Sequence, residues 1–371
     1  MNCLLTGGTG ILGSHIVFEW LYKVIVENTV DTLYVVIRDT EKTAKERLTE
    51  MLNSSSRPSF LDNFTLDQCL DKLVVISQDL SFFTAKDIEE YQLSTIIHCA
   101  GSTNLQNNSE VKKQVHAQNY LVTEQILNNL PKSINRFIYI STAYSFGIQN
   151  EKVDDEIEGY STQEFRNPYE ESKRACEKLV KLKCKNAGID SLILRPSIIC
   201  GRLINPPFFE TPKFDVFYSL PIFLQRYAEK SVDNFRIWID PKSGLNIVPV
   251  DFVAKSILYA FLHPNIKELN IVNPKPILHR VYVGQVLASF GIKNYEYVSE
   301  KPQELNSFEQ LYYKTIGSVF EKYISIPDLK YKNHLIKQVI KDLNMPLDLG
   351  VHENFMNLIN FSVAKQFKES Y

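Results

Sequence analysis

Thr6-Gly7-Gly8-Thr9-Gly10-Ile11-Leu12-Gly13 decides the fold of this chain. The octet follows a β-forming run, Asn2 to Thr6, and leads into an apolar-periodic stretch from Ser14 to Ile25. Two glycine spacings coexist in it: Gly8, Gly10, Gly13 as G-x-G-x-x-G, and Gly7, Gly10, Gly13 as G-x-x-G-x-x-G. Glycines there permit a tight turn and let backbone approach a pyrophosphate, while the following helix start offers N–H groups and a favourable dipole. Glycine triplets alone are weak evidence, but between a strand and a helix they predict a dinucleotide site.

Working outward, β-rich runs recur at Thr32–Ile37, Lys72–Ile76, Thr95–Cys99, Arg136–Ser141 and Ser191–Arg195, and Leu269–Val272 offers one more. Most are continuously apolar, as in a parallel sheet covered on both faces. Helical patterns such as Asn119–Leu127 lie between them, so the expected fold is α/β, a doubly wound Rossmann sheet. After Gly201 the texture changes to clustered prolines and aromatics between Pro206 and Phe223, an irregular cap. Ile336, Val339, Ile340 and Leu343 follow helical spacing, and a last helix is expected over Glu353–Lys368. Residues 1–200, with a further contribution from about 245–273, therefore read as the nucleotide-binding domain. Residues 201–371 read mostly as a smaller, mainly helical substrate-binding region.

The second strand ends in Arg38-Asp39. An acidic residue there grips the ribose hydroxyls of NAD, whereas an arginine accommodates the 2′-phosphate of NADP. Arg38 holds the strand tip and Arg47 offers a second guanidinium, so NADPH/NADP is favoured, with Asp39 leaving NAD open. Asn167-Pro168-Tyr169-Glu170-Glu171-Ser172-Lys173 starts a helix that ends near Gly188, with Asn167 as N-cap and Pro168 at the first helical position. Tyr169 and Lys173, four apart, share a face. An ammonium beside a phenol lowers its pKa, so Tyr169 can exchange a proton with a substrate oxygen. Thr142, with Ser141 beside it at the end of the fifth strand, offers a hydroxyl to the same oxygen. Tyr-x-x-x-Lys is common on helices by chance; its conjunction with the glycine loop and Thr142 is specific.

Together TGGTGILG (6–13), IIHCAGST (96–103), YISTAY (139–144), NPYEESK (167–173) and LRPSIICGR (194–202) resemble the extended short-chain dehydrogenase/reductase family, as far as LNIVPVDFVAKSI near Val253. VIRDTEKTAKERL (36–48), QDL (78–80) and NIVPVD (246–251) are similar to its branch of thioester reductases and fatty acyl-CoA reductases. That resemblance implies an active centre of Thr142, Tyr169 and Lys173. It implies a pyrophosphate site along Thr6, Gly7, Thr9, Gly10, Ile11 and Leu12, and a 2′-phosphate held by Arg38 and Arg47. Asp79 and Leu80 would flank adenine, and Ala100, Gly101 and Ser102 would run beside the cofactor. Pro196, Ser197, Ile198 and Ile199 would face nicotinamide, and Asn119 matches the family's helix asparagine. Gln78 stands where the family often has glycine, and Gly101 where it often has alanine.

The resemblance implies NADPH-dependent reduction of an acyl thioester, a CoA ester or one presented by a separate acyl or peptidyl carrier protein, to aldehyde or alcohol. The alternatives are reduction of a free carbonyl, nucleotide-sugar epimerisation or dehydration, and a non-catalytic NADP sensor, the last disfavoured by the intact tyrosine–lysine pair. The net charge of −2 without a basic run argues against nucleic acid. No apolar run of membrane-spanning length and no signal peptide are visible, and the six cysteines have no metal-like spacing, which leads us to expect a cytoplasmic protein without a metal. His98 and His116 read as structural and helix-surface residues, Asp154-Asp155-Glu156 as a solvated loop, and the aromatics from Phe208 to Phe223 as cap packing or an acyl enclosure.

Overall fold

In the computed structural model, which describes residues 2–158, 160, 164–230 and 234–371, seven strands form one sheet. They are β1 (Cys3–Thr6), β2 (Leu33–Ile37), β3 (Leu73–Ser77), β4 (Thr95–His98), β5 (Arg136–Ile140), β6 (Asp190–Pro196) and β7 (Glu268–Ile271). Their order is β7-β6-β5-β4-β1-β2-β3, and every pair is parallel. Leu5 of β1 lies between Val35 and Ile97, so the first strand is central. The order reverses between β1 and β4, and the crevice at their carboxyl ends is where ligands bind in such sheets.

Alternation along each strand feeds two cores. Leu5, Val35, Ile97 and Ile138 face one layer, and Leu4, Val36, Ile96 and Phe137 the other. The first layer is the larger because it also receives α1 (Ile11–Tyr22) and α4 (Val250–Leu262) together with the cap. The helix expected at Ser14–Ile25 starts three residues earlier, directly on the glycine loop, and widens into a π-helical turn at Lys23–Glu27. Helix α2 (Ala44–Leu52) begins with a capping box in which Thr43 and Glu46 satisfy each other's backbone N–H. Helix α3 (Pro168–Ala187) has the expected cap: the Asn167 side chain accepts from Glu170 N, and Gly188 closes the helix at φ 67°.

The cap contains more strand than its sequence texture suggests. Ile198–Cys200 pairs with Ile247–Pro249, Gly244–Leu245 with Ile277–Leu278, and Phe235–Trp238 with Tyr295–Val298. These ladders are only two to four residues long and have no long periodic signal to betray them. Helices α5 (His279–Ser289) and α6 (Gly317–Ile324) complete the wall facing the crevice. The last two helical segments run His334–Asp342 and Val351–Ala364.

Candidate active site

The glycine loop is built for close approach. Gly7 sits at φ 75°, and a Cβ there would lie 2.8 Å from Ala100 N. A Cβ on Gly13 would lie 2.0 Å from Gly7 O, so α1 can start against the loop only with glycine at that position. The N-cap of α1 is Gly10, without a side-chain hydrogen bond, which leaves the first-turn N–H groups for an anion. A dinucleotide pyrophosphate fits that donor set. Thr6, fully buried, is not turned to the crevice: its hydroxyl pairs with His98 Nδ1 (2.8 Å) and accepts from Cys99 N and Ala100 N (both 3.2 Å). It ties the ends of β1 and β4 together beneath the loop. Burial pushes the His98 imidazole down to about 3, so His98 is a neutral structural link from Thr6 to Thr123 Oγ1 (3.1 Å).

At the tip of β2, Arg47 donates to Arg38 O (2.7 Å) and to Thr9 Oγ1 (3.1 Å), so its guanidinium bridges strand tip and glycine loop. Asp39 is committed elsewhere: Oδ1 accepts from Ala44 N (2.6 Å) at the start of α2, and Oδ2 from Ser77 Oγ (2.7 Å). The Ser77 and Ala44 donors hold its carboxyl below the usual range. Arg38 is exposed, and Asp79 caps the short turn Leu80–Phe82 through Ser81 N (2.9 Å). Arg38, Arg47, Asp79 and Leu80 lie at the β2 and β3 tips, outside the main cavity.

That cavity, about 830 Å³, brings together Gly7, Gly10, Ile11, Leu12, Gly101 and Ser102 with Thr142, Tyr169 and Lys173. Pro196, Ser197, Ile198 and Ile199 line it as well. Lys173 is buried; its Nζ donates to Ile140 O (2.9 Å) and stands 4.9 Å from the centre of the Tyr139 ring. Burial lowers the Lys173 pKa. Burial also dominates at Tyr169 and raises its pKa, with the neighbouring Thr142 hydroxyl opposing. The expected depression of Tyr169 by the Lys173 ammonium is therefore not what the structure displays, because burial of the phenol dominates.

Asn119 lies in a π-helical turn, His116–Leu121, that interrupts the helix running from Ser109–Val115 to Val122–Asn128. Its Oδ1 accepts from Ser102 N (2.7 Å), and its Nδ2 donates to Ser102 O (3.1 Å) and Ser172 Oγ (3.0 Å). It thus pins the segment beside the cofactor site to the tyrosine–lysine helix, and wide turns of this kind often mark functional sites. A Cβ on Gly101 would approach Asn119 Oδ1 to 3.0 Å and Lys173 Nζ to 3.4 Å. Glycine there leaves this junction room. His116 is exposed and stacks on Tyr120 at 5.1 Å.

Several participants escaped the sequence reading. Ser141 does not stand with Thr142; its hydroxyl donates to Glu177 of α3, as does that of Ser145 (2.7 Å). Arg195 grips the same carboxylate through Nε and Nη2 (both 2.9 Å) and continues to Glu268 of β7. Tyr323 of α6 donates to Glu170 (2.8 Å) and accepts from Asn167 Nδ2 (2.7 Å), while Arg166 packs against the Tyr144 and Tyr323 rings. The cap is thereby latched to the first turn of α3, beside Tyr169. Of the 208–223 aromatics, Phe217 reaches the cavity; Phe214, Tyr218 and Phe223 are core, and Phe208 is exposed. Asp155 is anchored at Asn270 N (2.6 Å), and burial raises its pKa to about 6, so the acidic run is partly structural. Among the described residues no group of His, Cys, Asp or Glu is placed to hold a metal, and no helix is long and apolar enough to cross a membrane.

A seven-stranded parallel sheet, a glycine loop on an uncapped helix and a Thr–Tyr–Lys cluster at the switch point define an NAD(P)-dependent oxidoreductase of the extended short-chain type. Residues 5–257 match the model of the male sterility protein family, so the chain belongs to that family. It is 28% identical over 205 residues to a predicted UDP-glucose 4-epimerase of Methanocaldococcus jannaschii, 55% of this chain and 57% of that relative, whose length it thus spans only in part. Among solved structures it resembles a thiolation-reductase di-domain from an archaeal non-ribosomal peptide synthetase (18% identity, 99% and 91% coverage, TM-score 0.67). It likewise resembles the terminal R domain of the myxalamid PKS-NRPS pathway (18%, 95% and 91%, 0.65). A Bacillus cereus UDP-glucuronic acid 4-epimerase is similar at 16%, 97% and 100%, and 0.59. At these identities the structural likeness shows the fold.

Proposed function

We propose that this chain reduces a thioester-activated acyl group, a CoA ester or one held on a carrier protein, with NADPH as hydride donor. The observation that carries this reading is the cavity wall opposite the sheet. There Phe217, Leu245, Ile316, Val319, Phe320 and Ile324 offer apolar surface suited to an acyl chain rather than to a sugar diphosphate. Preference for NADPH over NADH is supported by Arg47 at the loop and by Asp39, whose two oxygens are already engaged with Ser77 and Ala44.

Gly7, Gly10, Ile11 and Leu12 would hold the pyrophosphate, Arg38 and Arg47 the 2′-phosphate, and Lys173 the nicotinamide ribose. When bound there, NADPH would supply the hydride for the thioester carbonyl carbon. Thr142 and Tyr169 donate hydrogen bonds to the oxygen as negative charge develops on it. Tyr169, kept protonated by burial, passes its proton to that oxygen and gives a hemithioacetal. Cleavage of its C–S bond, with the hemithioacetal hydroxyl proton passing to the departing sulfur, would release thiol and aldehyde; reduction of the aldehyde to alcohol would require exchange of the spent NADP for a second NADPH.

The test is NADPH oxidation with a panel of acyl-CoA and carrier-bound thioesters, products being assayed as aldehyde and alcohol. Tyr169→Phe is expected to lower turnover about 10²- to 10⁴-fold. Absence of turnover across the panel, with conversion of a UDP-sugar instead, would replace this reading by an epimerase.

A further inference from the structure

The hydroxyl of Tyr323, on α6 of the cap, closes a ring of hydrogen bonds around the turn that carries Tyr169. Asn167 Nδ2 donates to it (2.7 Å), and it donates to Glu170 Oε1 (2.8 Å). Glu170 N in turn donates to Asn167 Oδ1 (3.1 Å), so the ring begins before Tyr169 in the chain and ends just after it. Arg166 shares in the closure: its N donates to Glu170 Oε2 (3.1 Å), and its carbonyl accepts from Nζ of Lys322, the neighbour of Tyr323 (3.2 Å). Asn167 and Glu170 are buried, which shields these bonds from competing water.

The cap reaches Thr142 from the other side. The Tyr323 ring meets the Tyr144 ring edge-on at 5.6 Å, and Tyr144 N donates to Thr142 Oγ1 (3.4 Å). Tyr331, further along the cap, donates to Ala143 O (2.9 Å). Tyr323 therefore stands between the two segments whose hydroxyls, those of Thr142 and Tyr169, must meet one substrate oxygen. Capping of α3 alone needs no such partner, because Asn167 Oδ1 already satisfies Glu170 N. What the tyrosine adds is a fixed link from the cavity wall to that turn, since Val319, Phe320 and Tyr323 of α6 all line the cavity. An offset of about 1 Å between reacting groups can cost about 10²-fold in rate, so a link of this kind bears on turnover more than on affinity.

We propose that Tyr323 is a positioning residue that sets the Tyr169 hydroxyl against the substrate oxygen, opposite Thr142. The inference rests on Tyr169 and Thr142 acting as in the reading above, and adds a residue of the cap to their machinery. The Tyr323 hydroxyl is taken up by Asn167 and Glu170, so it acts through them and not on the substrate. The sheet and α3 supply the catalytic side chains, and the cap supplies the bond that orients them.

The test is a double-mutant cycle between Tyr323→Phe and Tyr169→Phe, followed as kcat and KM on the thioesters that the natural chain turns over, with a UDP-sugar run in parallel. Tyr323→Phe is expected to lower kcat about ten- to a hundredfold, with KM within about twofold and nucleotide affinity, read by fluorescence titration, unchanged. Added to Tyr169→Phe, it is expected to lower kcat no further, because no phenol is left to orient. A kcat within about twofold of the natural chain, a rise in KM alone, or losses that multiply in the double variant would overturn the positioning role and leave the thioester reading standing. Turnover of the UDP-sugar alone would overturn the thioester reading, and the same cycle on that sugar would still decide the role of Tyr323. A natural chain that converts neither would overturn both. Should Tyr323→Phe fail to fold, Tyr331→Phe paired with Thr142→Ala runs the equivalent cycle from the Ala143 side, with the same expected and contrary results.

Discussion

Replacing Glu177 with alanine tests whether the tyrosine–lysine helix and the Thr142 strand end are held together by one buried carboxylate. Glu177 is 1% exposed and takes both guanidinium bonds of Arg195, with the Ser141 and Ser145 hydroxyls on its Oε1. Burial alone would raise its pKa, but the Arg195 charge and the serine donors outweigh burial and hold it below the usual range. Breaking a buried pair by removing one partner costs about 3–5 kcal/mol. Arg195 keeps Glu268 and Asp155 O after the change, which favours the lower half of that range, while the two serines lose their acceptor at about 1 kcal/mol each. The expected loss for Glu177→Ala is therefore about 5–6 kcal/mol, and for Glu177→Gln, which keeps an acceptor oxygen, about 1–3 kcal/mol. Urea unfolding of both variants measures this. The folded Gln variant should also turn over more slowly at unchanged cofactor affinity, because Ser141 and Ser145 flank Thr142 on both sides. Equal stabilities for the two variants, or an alanine variant within about 0.5 kcal/mol of the natural chain, would refute the reasoning.

Arg47→Ala should weaken NADPH binding about tenfold or more and leave NADH binding nearly unchanged; fluorescence titration with both nucleotides checks this, and equal losses would sink the 2′-phosphate role. Three buried histidines should lower stability as the pH falls below about 6.5, with Asp155, whose carboxyl burial raises to about 6, opposing them in part. Burial lowers His15 and His98 to about 3 and His279 to about 4 from 6.5, so the unfolded chain takes up protons that the folded chain refuses. Stability from these residues is complete above pH 6.5 and is lost progressively as the pH falls toward their folded values. A urea midpoint at about pH 5 no lower than at pH 7 would contradict it.

Much of this was legible locally. Gly7 to Gly13, the strand runs and the Asn167–Pro168 start with the Gly188 stop of α3 each need only a few neighbouring residues to be read. What escaped depends on partners far along the chain. Ser141 looked like a second hydroxyl for the substrate until Glu177, thirty-six residues on, claimed it. Asp39 looked poised for a ribose, yet Ala44 N and Ser77 hold it. Lys173 shares a face with Tyr169, but helical spacing does not reveal that its ammonium turns to Ile140 O. The Tyr323 latch comes from the cap, more than 150 residues from Asn167 and Glu170, where short ladders leave no periodic trace.

Strands β6 and β7 are hydrogen-bonded neighbours, yet residues 197–267 intervene between them. That excursion supplies Ser197, Ile198 and Ile199, Phe217 and Leu245 to the cavity lining, and it also contains α4, which packs against α1 in the larger core. Loop-closure cost grows only logarithmically, about 0.6 kcal/mol per doubling, so added length in its exposed turns, outside α4 and the buried core residues, costs the sheet little in closure entropy. The wall of the cavity can thus vary within one excursion of the chain, while Glu268 clamped to Arg195 ties the two strands that flank it.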